Sequence, residues 1–111
     1  MNNIKLDPKI FTMEFGKINV PAEEHFKKVK EEFGELEYAF IDYVNGIKEN
    51  AWAAEMEVYI QNLCSEALDN VQASISFVSF LINTGVMTNL AMEKWEEKMK
   101  DRKKKYLKEV K

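Results

Sequence analysis

Met56, Ile60, Leu63, Ala67, Val71, Ile75, Val78 and Ile82 recur at steps of three and four residues. At 3.6 residues per turn that spacing places all eight on one side of a helix of more than seven turns. A helix this long takes about a quarter of the 111-residue chain, and its apolar side has to be covered by other elements. Asn83-Thr84-Gly85 closes it, with Gly85 as a left-handed terminator. The chain is therefore expected to be all-α, a single domain built as a helical bundle.

A first long helix is expected to start at Pro21, a residue tolerated at a helix start, followed by Glu23 and Glu24, which complement the helix dipole. Phe26, Val29, Phe33, Leu36, Phe40 and Val44 then form a core-facing stripe, with Gly34 inside the pattern, and Asn45-Gly46 reads as a stop. Residues 46–55 are expected to hold a turn, a break or a short separate helix. Thr88 caps a last helix over about Asn89 to Tyr106, giving about three helices in all. Residues 1–19, with Pro8, Gly16 and a brief alternation through Ile10, Phe11, Met13 and Phe15, read as an extended N-terminal arm.

The hydrophobic share of 46% and charged share of 32% exclude intrinsic disorder. No stretch reaches the roughly 20 apolar residues of a membrane span, and the N-terminus carries no apolar signal core. A single cysteine, Cys64, rules out an internal disulfide and reads as a buried thiol. The expected location is cytoplasmic. Residues 93–111 carry nine Lys/Arg against five Asp/Glu, which leaves net −7 on residues 1–92. The interleaved acids make that tail a solvated helix face and argue against nucleic acid as a partner. His25, early on the first helix, reads as a surface or boundary residue.

The candidate chemistry lies in two acidic tetrads. Glu32 with Glu35, and Glu66 with Asp69, are three apart on their helices and so share a face. Helical phase sets both pairs at the border of the apolar stripes and points Glu31 more nearly outward, one turn from Glu35. Glu35 lies nine residues before the first helix's end near Val44, and Glu66 lies ten after Met56, so an antiparallel pair brings the acids level. Two carboxylate pairs from facing helices suit a hard divalent cation, for which Mg²⁺ keeps positions for water or substrate phosphate. Lys98 and Arg102, four apart on the last helix, form a face able to meet phosphate oxygens. Trp52 is a candidate lid or base-stacking residue, although an aromatic at this spacing is more often packing. One acidic pair alone is commonly a solvated rim, whereas two in order, followed by the cationic pair, are more specific.

These residues resemble the all-α nucleoside triphosphate pyrophosphohydrolases of the MazG type. The signature is Glu-Glu-x-x-Glu on one helix and Glu-x-x-Asp on the next, matched by Glu31, Glu32 and Glu35, then by Glu66 and Asp69. Asp69-Asn70-Val71-Gln72-Ala73 is similar to the continuation of the second motif. Lys98-Met99-Lys100-Asp101-Arg102 is similar to a later cationic element, and Asn89 to a polar residue found before it. Leu68 stands where many members have Gly, and the gap between the motifs is longer than usual.

The resemblance implies a MazG-like helical domain over residues 20–111 that hydrolyses a nucleoside triphosphate, or its deoxy form, to monophosphate and pyrophosphate with Mg²⁺ or Mn²⁺. It implies metal ligands at Glu32, Glu35, Glu66 and Asp69, a water-positioning role for Glu31 or Glu35, and phosphate contacts from Lys98 and Arg102. Trp52 and Asn89 are the candidate base or lid contacts. It further implies a homo-oligomer, dimer or tetramer, with sites built across tightly packed subunits. Two other readings stand beside it: a related pyrophosphatase acting on a substrate such as phosphoribosyl-ATP, and a small non-catalytic helical interaction protein.

Overall fold

The computed structural model describes residues 4–110; Met1–Asn3 of the arm and Lys111 of the tail lie outside them. The fold is all-α, with no strand among the described residues. Helix α1 spans Ala22–Lys48, α2 spans Ala53–Asn83 and α3 spans Asn89–Val110. Before them, two short 3-10 turns at Pro8–Ile10 and Glu14–Lys17 interrupt the arm.

The helix boundaries have local causes. Pro21 stands at the N-cap of α1, one residue ahead of the helix. The turn after α1 falls at residues 49–52, inside the stretch expected to hold it, but the stop is not Asn45-Gly46. Both residues are helical, and the left-handed residue is Asn50, with φ +54°, a conformation asparagine tolerates better than most. Gly46 is buried instead because α2 crosses there: a Cβ on it would lie 2.8 Å from both Met56 Sδ and the Tyr59 ring. Gly85, at φ +79°, ends α2 as expected, and the Thr88 hydroxyl caps α3 by accepting from the Ala91 N–H at 3.1 Å.

α1 and α2 lie antiparallel. Gly46 meets Tyr59 at one end, Glu35 lies beside Glu66 midway, and at the other end His25 stacks on Phe80 at 4.3 Å between ring centroids and Phe26 lies beside Phe77. The buried row of α1 is His25, Glu32, Ala39 and Gly46; on α2 the buried residues are Ala73 and Ser79, the latter covered by the arm. These mostly small residues let the backbones approach closely.

This corrects the expected core face of α1. Phe26, Phe33 and Phe40, followed by Ile47, form a row one residue on from the buried one, and each keeps more than half of its surface exposed. On α2, Ile60, Val71, Val78 and Ile82 are also exposed. Helical periodicity identified the apolar faces correctly, but one α1–α2 contact covers too little to bury them. Nor does α3 close the gap, since it packs along neither α1 nor α2. A compact chain of this length has a radius of gyration of about 13 Å, against 17.6 Å here. Cys64, expected to be buried, is exposed for the same reason: α1 covers one line of α2, the arm covers a second only around Gln72 and Ser79, and position 64 lies under neither.

Gly34 has a simpler account. A Cβ there meets nothing within 4 Å, so no close approach requires the glycine. Gly34→Ala is expected to stabilise the fold by about 0.5–1 kcal/mol through helix propensity alone, read as a higher urea midpoint at unchanged m-value.

The arm is seated on α2 by specific contacts. The Thr12 N–H donates to Gln72 Oε1 at 2.9 Å, and Gln72 Nε2 donates to the Thr12 carbonyl at 2.8 Å. Ser79 Oγ donates to the Met13 carbonyl at 2.7 Å. Gly16 packs so tightly that a Cβ would fall 2.4 Å from the Ser79 Cβ and 2.7 Å from the Phe80 backbone nitrogen. The Ile18 carbonyl accepts from His25 Nε2 at 3.2 Å. His25 is therefore a buried clamp, 8% exposed, and not a surface or boundary residue: Phe80 of α2 covers its ring and the arm closes over it through Ile18.

Candidate metal centre and adjoining cavity

Glu32, Glu35 and Glu66 each present a carboxylate oxygen such that all three atoms lie within 4.8 Å of one another. The level matching of the two acidic motifs places them there, because α1 and α2 run antiparallel with their midpoints together. Their environments differ. Glu32 is buried, 7% exposed, Glu66 is half-buried and Glu35 is exposed.

Glu32 Oε1 accepts from Lys28 Nζ at 2.6 Å, an ion pair one helical turn back. Its Oε2 is buried with no hydrogen-bond partner, and so is Oε2 of Glu66. A buried carboxylate oxygen left unpaired is costly, and two of them beside a third carboxylate form a pocket in which three carboxylates face the single ammonium of Lys28. The strain registers at Glu35, whose carboxyl is held above the ordinary range by the charge of Glu32, then by desolvation, then by the charge of Glu66. Lys28 is pushed up in turn, chiefly by its hydrogen bond to Glu32.

Glu35's raised proton affinity has a signed consequence. Between its ordinary and its raised value the folded chain binds more protons than the unfolded chain, so cation-free stability falls as pH rises through that window. A divalent cation held on the same oxygens would displace the proton and remove the loss. Thermal melts across mildly acid pH are expected to show the decline in EDTA, and to show it reduced in Mg²⁺ and in Glu35→Gln.

Beside the trio lies a cavity of about 520 Å³. Glu32 and Asp69 stand on its wall with His25 and Lys28, and the arm closes its far side through Phe15, Ile18 and Val20. Asp69 thus shares the cavity with Glu32, although it is not one of the three clustered carboxylates. Glu31 is exposed and lines a separate shallow depression with Lys27 and Lys30. Lys98 and Arg102 are exposed on α3 and line no part of the cavity. Trp52, 80% exposed, stands at the N-cap of α2, and Asn89 is the exposed first residue of α3. The arm wall and His25 are functional candidates that helical spacing does not reveal, since they meet the acids only through tertiary packing. For the Lys28–Glu32 pair a signal was present in the i,i+4 spacing.

The donor set is all oxygen, anionic and carried by two rigid helices, which fits Mg²⁺ or Mn²⁺ and offers no soft ligand. Among the described residues no helix is long and apolar enough to cross a membrane. No family model matches the chain, and neither the curated proteins nor the solved structures include a match to it.

Proposed function

We propose that the protein is a Mg²⁺-dependent nucleoside triphosphate pyrophosphohydrolase, releasing nucleoside monophosphate and pyrophosphate from ribo- or deoxyribonucleotides. The observation that carries this reading is Glu32, a buried carboxylate with one oxygen unpaired, aimed into a cluster with Glu35 and Glu66. A solvated acidic rim would not place a carboxylate there.

Glu32, Glu35 and Glu66 would hold the cation, with Asp69 adding charge from the cavity wall. When bound, Mg²⁺ supplies Lewis-acid stabilisation for charge gathering on the departing pyrophosphate. Glu35, the exposed member of the trio, would orient the attacking water and take its proton on the oxygen that the cation leaves free. Glu31 is the weaker choice for that role because it lies outside the trio. The Lys28–Glu32 ion pair fixes the rotamer of the buried ligand.

The working form in this reading is a homo-oligomer in which a second copy covers the row Phe26, Phe33, Phe40 and Ile47. Burying a side chain of that size contributes about 2 kcal/mol, which makes an uncovered row a strong drive to associate. Lys98 and Arg102 would then reach the substrate phosphates from a neighbouring copy, because α3 packs on neither helix of its own protomer.

Pyrophosphate release from a panel of ribo- and deoxyribonucleoside triphosphates and phosphoribosyl-ATP, with Mg²⁺ and with EDTA, tests the proposal. Release only from phosphoribosyl-ATP would move the assignment to that substrate. No release from any member would favour a non-catalytic helical interaction protein, the reading to which the exposed phenylalanine row also lends itself.

A further inference from the structure

We infer that the N-terminal arm, through Phe15 and Ile18, is the wall that receives the nucleoside part of the substrate in the 520 Å³ cavity; this rests on the pyrophosphohydrolase reading and deepens it. Three observations carry the inference. The volume falls in the range of about 300–1,000 Å³ typical of small-molecule sites. The cavity is continuous with the acidic centre, because Glu32 belongs to both. And the wall is rigid where it needs to be: backbone on both sides of Phe15 is pinned, by Met13 and Gly16 against Ser79 and by Ile18 against His25.

Phe15 and Ile18 nevertheless keep about half of their surface exposed. Apolar side chains held open on a fixed backbone are preorganised for a ligand, since little ordering remains to be done on binding. Their chemistry selects a flat, weakly polar ring, which an aromatic side chain accepts by stacking whatever its hydrogen-bonding pattern. Ala73 and Ser76, small residues of α2, leave the room for it. A ring placed there sends its sugar and phosphates toward Glu32 and Asp69, the polar end. An inorganic polyphosphate would use that polar end alone.

Binding, read apart from turnover, separates this inference from the reading beneath it. The full chain is titrated calorimetrically with ribo- and deoxyribonucleoside monophosphates, and separately with pyrophosphate plus Mg²⁺. Phe15→Ala is expected to weaken monophosphate binding about tenfold, the scale of one lost stacking contact, and to leave Mg²⁺–pyrophosphate affinity within about twofold. Ile18→Trp, which fills the cavity from the arm, is expected to do the same; circular dichroism melts confirm that both variants keep the fold. Monophosphate affinity unchanged in both variants, or no monophosphate binding by the parent chain, overturns the wall assignment while leaving the metal centre standing on its pyrophosphate titration. Binding of monophosphates that both variants weaken, with no Mg²⁺-dependent pyrophosphate binding, supports the wall and overturns the catalytic reading.

Discussion

Glu66→Gln is expected to lower pyrophosphate release by about a thousandfold, the scale of removing one electrostatic stabiliser of a transition state, while making the cation-free protein more stable. The two effects share one origin. Glu66 is half-buried with an unpaired carboxylate oxygen, and its charge adds to the repulsion that Glu32 and Glu35 feel. A glutamine keeps the shape, removes one negative charge and supplies an amide that can donate to a neighbouring carboxylate. The gain should be about 1 kcal/mol, seen as a higher melting temperature in EDTA. In Mg²⁺ the order reverses, because the parent chain gains stability from the cation and the variant gains far less. A variant that melts lower in EDTA would mean that the carboxylates are not in conflict. One that retains activity within about tenfold would remove Glu66 from the ligand set.

Phe33→Asp should act on assembly. Phe33 stands in the middle of the exposed row, so a charge there would be trapped at the centre of the proposed interface, and self-association is expected to weaken by at least about a thousandfold. Sedimentation velocity at micromolar concentration should show the parent chain as a dimer or larger and the variant as a monomer with its helix content retained. Hydrolysis should fall with it, because Lys98 and Arg102 would no longer reach a neighbouring site. Mixing distinguishes a role in trans from a structural one: Glu66→Gln with the double variant Lys98→Ala, Arg102→Ala, each inactive alone, should recover activity through hybrid oligomers. A parent chain that sediments as a monomer would end the assembly proposal outright.

What the sequence disclosed follows from the range of the interactions involved. The span of α2, its end at Gly85 and the Thr88 cap depend on neighbours within a few residues, and each stands where local chemistry placed it. The level pairing of Glu35 with Glu66 needed only the helix rise and one turn between helices. Gly46 misled because Asn-Gly has the same composition whether it ends a helix or admits the Tyr59 ring of another. His25 was misplaced because what buries it, Phe80 of α2 and the arm, meets it only in the folded chain. The phenylalanine row was recognised as apolar, but periodicity does not say which molecule covers a face. Cys64 was misassigned because residue type alone favours burial, whereas neither α1 nor the arm reaches that side of α2.

The buried row and the phenylalanine row occupy consecutive positions on α1: His25 and Phe26, Glu32 and Phe33, Ala39 and Phe40, Gly46 and Ile47. A helix turns as a rigid rod, so any roll of α1 that draws Glu32 toward a cation also re-aims the aromatic edge by the same angle. If the proposed ion capture and subunit docking both occur on α1, they should therefore be thermodynamically reciprocal: each changes the other by an equal factor. Adding or deleting one residue in this helix would turn everything beyond it by about 100°, breaking both rows at the same point, a change that no single side-chain substitution repairs.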